Sequence, residues 1–287
     1  MTIAVADARD KKKRAFNWRS VAVHGCLIFG ALLMIYPLLW LASSSLKPAN
    51  LIFSDLSLWP SKIRLQNYVD GWRGAALPFS TFFMNSFIVS GLAVVGNVLA
   101  CSMVAYAFAR LNFIFKKTLF AVMMLTIMLP LHATLIPQYA LFHKLGWVNT
   151  FLPLTVPKFL AVDAFFIFLM IQFIRGIPRE LDEAATIDGA GPIRLFTSIV
   201  LPYLRPLLII LTTLSVIWDF GVFNQIWFMR NGHPEPGYQT LGIYMYSNGI
   251  GSSHYNLGAT VAVLMMAGLL TVMVFYVRQL IRAGEAQ

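Results

Sequence analysis

The chain has 287 residues, of which 58% are hydrophobic and only 12% are charged, and its formal net charge is +10. A soluble globular domain has about a quarter of its residues charged, so this composition excludes an ordinary soluble protein and indicates a membrane protein. The positive charge does not indicate a nucleic-acid partner, because the basic residues lie at the ends of apolar runs and are not interleaved with aromatic residues.

Six apolar runs are long enough to cross a bilayer, since a hydrocarbon core of about 30 Å requires about 20 largely apolar residues in a helix. We therefore predict an all-α membrane protein with one six-helix transmembrane domain, residues 21–282. A basic N-terminal segment, residues 1–20, precedes it, and a short tail, residues 283–287, follows it. The predicted spans are 21–41, 83–107, 118–141, 162–174 with the upstream stretch LPLTVPKFLA, 206–228 and 257–277.

The first apolar run allows two interpretations. The segments DKKKR before it and SSSLKP after it resemble the flanks of a secretory signal peptide. The run is long for such a peptide, which favours an uncleaved first membrane helix.

Lysine and arginine are distributed unevenly between the two sides of the predicted bundle. Short loops rich in these residues stay in the cytoplasm, so the distribution predicts that both termini are cytoplasmic. The inner segments then hold Arg9, Lys11, Lys12, Lys13, Arg14, Arg19, Arg110, Lys116, Lys117, Arg175, Arg179, Arg194, Arg205, Arg278 and Arg282. The outer segments hold Lys47, Lys62, Arg64, Arg73, Lys144, Lys158 and Arg230.

Two prolines, Pro130 and Pro137, lie inside the third predicted span. Each removes a helical hydrogen bond, so this span is predicted to be irregular. Irregular backbone at membrane depth is tolerated where protein or a water-filled cavity satisfies it. The irregularity is interpretable as a packed kink or as a gate.

A polar stretch, ELDEAATIDGAGPIRLFTSIVLP, separates the fourth and fifth predicted spans on the cytoplasmic side. Pro178 suits the first turn of a helix, and the acidic residues after it suit the positive end of the helix dipole. Gly189 and Gly191 predict the end of this helix, and Pro192 can begin a second helix that leads into span five. The apolar face of the second helix is predicted to hold Ile193, Phe196 and Ile199 or Val200.

The first of these helices, about residues 178–191, has two possible roles. Ala184 and Ala185 beside Glu183 form a close-packing surface with one projecting carboxylate, which suits insertion into a groove on another protein. An amphipathic loop helix resting on the membrane surface would have a similar composition. The residues alone favour the helix on the membrane surface, because cytosolic loop helices are common.

The same stretch resembles the EAA signature of ABC importer permeases and matches it at every signature position. The likeness is to the sugar-importing permeases of the maltose-transporter type, extends over most of the chain, and implies the type I ABC importer permease fold. Further motifs in that family's usual order are SSSLKP, QNY, NSFIVS, AYAFARL, MLP, IPQY and LGWVNT. The residues that the resemblance assigns to coupling are Glu183, Ala184, Ala185, Asp188, Gly189, Ile199, Leu201 and Pro202.

The resemblance also implies a mechanism and a set of partners. The EAA segment would be a coupling helix docked in a cleft of a cytoplasmic ATPase, with Glu183 meeting a basic residue there, and ATP-driven closure would produce alternating access for a sugar or oligosaccharide. The implied partners are a second homologous permease subunit, two copies of the ATP-binding subunit, an extracytoplasmic solute-binding protein and membrane lipid. ATP and Mg would be bound by the ATPase, and no cofactor by this chain.

The implied location is the inner or plasma membrane of a bacterium, with several spans. Six spans and a short N-terminus resemble the smaller permease of a heterodimeric pair. The sequence of span five, VIWDFGVFNQIWFMRNGHPEP, resembles that of the larger permease of such a pair instead.

No catalytic motif is present in the sequence: there is no phosphate-binding glycine loop, no His-Glu-x-x-His and no nucleophile elbow, and the histidines are scattered. The chain is therefore predicted not to be an enzyme and not to hold a metal. Two alternatives remain open. An intramembrane aspartyl enzyme could use Asp163 and Asp219, the acids near membrane depth. A stand-alone secondary transporter or channel would predict repeated halves, which the sequence does not show.

Span five is the predicted substrate path, because its rings and hydrogen-bonding groups are of the kind that sugars need. Asp219 would lie near the midplane of a continuous helix over 206–228, so it is expected to face a cavity or to pair with the second permease subunit rather than face lipid. The residues predicted to line the path are Trp218, Asp219, Phe223, Asn224, Gln225 and Trp227.

Overall fold

The structure is a computed structural model that describes residues 18–74, 77–230, 232 and 234–284. The basic residues predicted before position 18, His233 and the last residues of the predicted tail lie outside this part of the chain. The regular elements of the described residues are all helical, as the composition predicted.

The α-helices, in chain order, are α1 Trp18–Leu46, α2 Gln66–Arg73, α3 Phe79–Arg110, α4 Lys116–Ile127, α5 Leu131–Lys144, α6 Leu152–Thr155, α7 Ala164–Arg175, α8 Arg179–Ile187, α9 Pro192–Leu195, α10 Leu201–Phe220, α11 Asn224–Met229, α12 Leu241–Tyr246 and α13 Tyr255–Gly284. Short 3-10 helices cover Ala49–Leu51, Val156–Leu160 and Pro236–Tyr238. π-helical turns cover Phe196–Val200 and Ser247–Gly251.

Within the described residues, five helical segments are long and apolar enough to cross a membrane, and a bent helix pair completes a sixth span. The chain is thus an all-helical membrane protein, and it has the six predicted spans when the bent pair is counted as one. Spans one to six are Ser20–Leu46, Phe79–Arg110, the pair Lys116–Ile127 with His132–Lys144, Leu152–Arg175, Pro192–Met229 and Tyr255–Arg278.

Span three, predicted over 118–141, is irregular, as its two prolines predicted. Its two helices meet at an angle of 105°. Pro130 adopts an extended conformation immediately before α5, and it has no N–H with which to continue the hydrogen bonds of α4. Pro137 lies inside α5.

Spans four and five are also interrupted. Span four unwinds between the 3-10 helix Val156–Leu160 and α7, where Ala161 has a left-handed φ of 55°. The prediction of a continuous helix over 206–228 was wrong, because α10 ends at Phe220 and α11 begins at Asn224. Asp219 therefore lies in the last turn of a helix, next to the break.

The core of the chain is formed where spans two, four and five meet. In the most apolar stretch of each span, span two has the largest buried share, 44%, whereas none of that stretch of span one is buried inside the chain. Small residues of α3 allow close approach, and the fully buried residues of this core include Cys101, Ala105, Ile171, Ile174 and Leu204.

Several motifs that resemble those of the family hold neighbouring segments together by hydrogen bonds. In SSSLKP, the ammonium of the fully buried Lys47 donates to the carbonyls of Asp55 and Ser57, at 2.6 and 2.7 Å. In QNY, the Asn67 amide donates to the carbonyls of Ser45 and Lys47.

The motif NSFIVS holds the chain that connects spans five and six. Asn85 Nδ2 donates to the carbonyls of Gly237 and Gln239, at 3.0 and 2.8 Å, and the Leu241 N–H donates to Ser86 Oγ. This connection is therefore anchored on span two.

Candidate functional site

The cytoplasmic stretch folds as predicted into a short helix, a turn and a second helix. Pro178 precedes α8, and Glu180 and Asp182 lie in its first turn. The helix ends in a Schellman motif, in which the Ala190 N–H donates to the Ala185 carbonyl and the Gly189 N–H donates to the Thr186 carbonyl. Gly189 has a φ of 80°, the left-handed conformation that this ending requires.

One side of α8 is exposed and the other contacts the bundle. Glu183 and Ala184 are exposed, whereas Ala185 is partly buried against the core. Ile187 and Ile193 are 86% and 81% exposed, so the turn between the two helices carries apolar surface beside the Glu183 carboxylate.

An ion pair ties α8 to span two. Arg110, the last residue of α3, places Nε 2.8 Å from Asp182 Oδ2, and the two side chains are 6% and 17% exposed. The same guanidinium donates through Nη2 to the Ile177 carbonyl at 2.8 Å. Sequence reasoning counted Arg110 only as an inner cation, although its motif AYAFARL was noted.

The second helix runs without interruption into span five. α9 continues through the π turn Phe196–Val200 into α10, which begins at Leu201. Of the predicted apolar face, Val200 is buried and Phe196 and Ile199 are partly buried, whereas Ile193 is exposed and Leu195 is buried in its place. Of the remaining coupling residues, Asp188 and Pro202 are exposed, and Ile199 and Leu201 are half-buried.

A cleft of about 960 Å³ opens between spans three, four and five. Its walls are largely apolar and aromatic: Trp218 stacks on Phe166 with a centroid distance of 5.5 Å. Gln138 and Gln225 add uncharged hydrogen-bonding groups to the lining.

Three charged side chains meet at the interruptions of spans four and five, and we call them the charged triad: Lys158, Asp163 and Asp219. The Lys158 ammonium lies 2.9 Å from Asp163 Oδ2 and 3.1 Å from Asp219 Oδ1. Ser215 Oγ donates to Asp219 Oδ2 at 2.7 Å, and Asn97 Nδ2 donates to Ser215 Oγ at 3.1 Å. The triad therefore connects spans four and five, and Ser215 and Asn97 extend the hydrogen bonds to span two.

Lys158 corrects the assignment made from the basic residues. It was counted as a cation of an outer segment, but it lies inside span four. The signal available in the sequence was its position within the apolar run LPLTVPKFLA, five residues before an aspartate.

Half of the predicted path residues line the cleft. Trp218, Asp219 and Gln225 are part of its lining. Phe223, Asn224 and Trp227 are not, because the break after Phe220 ends the helical register on which the prediction depended. Phe223 instead stacks on Trp227 and contacts Tyr246.

Asp219 faces the cleft and pairs with a lysine of its own chain. The geometry does not favour the aspartyl enzyme, in which two carboxylates share a proton. Here the ammonium of Lys158 lies against both carboxylates.

The family follows from a comparison with known proteins. Residues 96–283 match the model of the binding-protein-dependent transport system inner membrane component. The chain belongs to this family. It is a multi-pass permease subunit of an ABC importer, and the stand-alone transporter is not favoured.

Several relatives are named for the system in which they work. DasB, a permease protein of the diacetylchitobiose uptake system of Streptomyces coelicolor, is 30% identical over 70% of this chain and 69% of its own length. GanQ, of the galactooligosaccharides transport system of Bacillus subtilis, is 29% identical over 83% of this chain and 84% of its own. UgpE, of the sn-glycerol-3-phosphate transport system of Yersinia pestis, is 30% identical over 70% and 72%.

A solved structure has the same fold. The crystal structure of a bacterial ABC transporter involved in the import of the acidic polysaccharide alginate aligns with a TM-score of 0.72, over 91% of this chain and 96% of that chain. The sequences are 19% identical. The alignment supports the type I importer permease fold.

Proposed function

We propose that this permease passes a sugar or oligosaccharide from an extracytoplasmic solute-binding protein to the cytosol, driven by a separate ATPase, with both of its own termini in the cytoplasm. It works beside a second homologous permease subunit and two copies of the ATPase, which bind ATP and Mg. The observation that carries the proposal is the exposed helix α8, which is held to span two by the Arg110–Asp182 ion pair.

The shape of α8 suits docking rather than rest on a membrane surface. A surface helix directs its apolar side into the lipid, but the buried side of α8 already packs on the chain through Ala185. Its free side combines Glu183 with the apolar Ile187, which suits a cleft that holds a basic group and an apolar wall. Movement of α8 would be transmitted to span two through the ion pair and to span five through α9.

The interruptions of spans three, four and five suit alternating access. Broken helices are tolerated at membrane depth where they line a cavity, and these interruptions lie around one cleft. Short helical segments on either side of a break can tilt separately. We propose that such tilting opens the cleft to each side of the membrane in turn.

The cargo is proposed from the cleft and from the relatives. Aromatic faces such as Trp218 and amide groups such as Gln225 are the groups that bind sugars. DasB and GanQ are named for saccharide uptake. A sugar or oligosaccharide is therefore the proposed class.

Charge reversal on α8 tests the coupling. Glu183→Lys should leave membrane insertion intact and lower transport in proteoliposomes at least tenfold, because a buried charge left opposite a like charge costs several kcal/mol. Glu180→Lys, on the same helix but outside the signature, is the matched control and should retain most of the transport. The ATPase should co-purify with the unaltered chain.

Two outcomes would contradict the proposal. Normal transport by Glu183→Lys with the ATPase still bound would mean that α8 is a passive surface helix. Transport of solute by the purified chain without any ATPase would mean that it works alone.

A further inference from the structure

The charged triad gives the cleft a net negative charge. Among the described residues that line the cleft, Lys158, Asp163 and Asp219 are the only charged side chains. One ammonium faces two carboxylates, so the sum is one negative charge. Membership of the family does not specify the charge of the transported solute. The three charged side chains of the cleft are a property of this chain.

Lys158, the one cation among the described residues of the cleft lining, already binds two carboxylates. Two of the three donors of the Lys158 ammonium are directed at Asp163 and Asp219, at 2.9 and 3.1 Å. The Lys158 side chain is 20% exposed, and Asp163 is the most exposed member of the triad at 28%. An incoming ligand therefore meets a carboxylate more readily than an ammonium.

The contacts of Asp219 favour its charged form. Its Oδ1 accepts from Lys158 and its Oδ2 accepts from Ser215 Oγ. The Ser215 hydroxyl is free to donate in that direction because its oxygen accepts from the Asn97 amide. The Lys158 ammonium, which can only donate, lies 3.1 Å from Oδ1 and favours the ionised carboxylate.

We infer that this cleft admits neutral or amine-bearing saccharides and rejects anionic ones such as uronates and sugar phosphates. The inference rests on the proposed function and names its cargo class more narrowly. Sugar hydroxyls and ammonium groups donate hydrogen bonds to carboxylates, and such charge-assisted bonds are strong. An anionic group is repelled by the net charge, and the apolar walls screen that repulsion less than water does.

The charge of the cleft can be measured without knowing the cargo. We would place one cysteine in the lining, Gln225→Cys, in a chain that also carries Cys26→Ser and Cys101→Ala, within the assembled importer in nanodiscs. The probes are a trimethylammonium-ethyl and a sulfonato-ethyl methanethiosulfonate, which are similar in size and opposite in charge. Each rate is divided by the rate with free 2-mercaptoethanol. Ser252→Cys, on an exposed loop, serves as the reference position.

At position 225, relative to position 252, the cationic probe should react about fivefold faster and the anionic probe about fivefold slower, so that the ratio of the two rates changes about 25-fold. This is the effect of one unit charge on each probe across roughly 8 Å at an effective dielectric constant of about 40. Asp163→Asn should abolish this preference, and Lys158→Gln should increase it. Asp70→Asn removes a carboxylate outside the cleft and should leave it unchanged. Equal normalised rates, or a preference that neither triad variant alters, would overturn the inference.

The cargo itself is tested on the cognate solute-binding protein, since both components must accept the same solute. Its thermal unfolding would be followed with a neutral oligosaccharide (maltotriose), an amino sugar (chitosan dimer), a uronate (digalacturonate) and glycerol 3-phosphate. Stabilisation by the neutral or amino compound supports the inference. Stabilisation by the anionic compounds alone overturns it and leaves the import function intact.

Discussion

The guanidinium of Arg110 attaches α8 to span two, because it binds both Asp182 and the Ile177 carbonyl. Arg110→Gln and Asp182→Asn should each lower the ratio of solute transported to ATP hydrolysed, because a hydrogen bond to a charged group contributes about 2 kcal/mol. The double variant should lose little more than the worse single variant, since both remove the same contact.

Arg175→Gln is the control for that pair of variants. Arg175 lies at the end of α7 and its cation is 5.8 Å from the Phe120 ring, apart from the α8 contact. Its replacement should leave the transport ratio unchanged. Fully additive losses in the double variant would show that Arg110 and Asp182 act separately.

Gly189 and Gly191 provide a matched pair at the end of α8. Neither glycine has a neighbour within 4 Å of an added Cβ, but Gly189 has a φ of 80° whereas Gly191 has a φ of −72°. Gly189→Val should strain the backbone by about 1–2 kcal/mol and loosen the Schellman motif. Faster hydrogen exchange at residues 185–190 would report this loosening, and Gly191→Val should not produce it. Equal exchange in both variants would contradict the role given to the left-handed turn.

Residue-level prediction succeeded where the rule is local and was incomplete where it is not. The glycine turn after α8 follows from backbone sterics, so Gly189 could be read from the sequence. Asp163 and Asp219 were also noticed, because acids in apolar runs are costly. Lys158, the partner that both aspartates share, was not noticed, because its contact with Asp219 depends on how two separate spans pack.

At the scale of elements, α13 is locked to the segment before it by a backbone contact between glycines. A Cβ on Gly258 would lie 2.5 Å from Gly249 Cα, so neither position has room for a methyl group. Gly258→Ala should lower the thermal stability of the chain in detergent by about 1–3 kcal/mol through overpacking. Gly25→Ala, in α1 with nothing within 4 Å, should be neutral. An unchanged melting temperature for Gly258→Ala would mean that the segments are not held together.

The sequence predicted where the membrane helices occur, but it did not predict all of their interruptions. Apolar length identified every span, because the bilayer sets that length. The break before α5 had a visible cause in Pro130, but the break at Ala161 has none, since alanine favours helix and adopts a left-handed φ only under tertiary constraint. The break after Phe220 likewise displaced three predicted path residues from the cleft lining.

At the scale of the whole molecule, the orientation in the membrane is a prediction of the basic residues. Asp70→Cys and Glu235→Cys should react with a membrane-impermeant maleimide in spheroplasts, whose inner membrane is intact. Glu183→Cys should react only after the cells are opened. The reverse pattern would invert the topology and would place α8 on the side without ATP.

The distribution of the charged triad along the chain also bears on how the protein enters the membrane. Lys158 and Asp163 are bonded to each other five residues apart within one span. A single lysine or aspartate at the centre of an inserting helix costs about 2.5–3.5 kcal/mol, so span four brings its own counter-ion into the bilayer before Asp219 has been synthesised. We therefore expect the first two members to lower the cost of inserting span four during translation, and the third to hold span five against it afterwards.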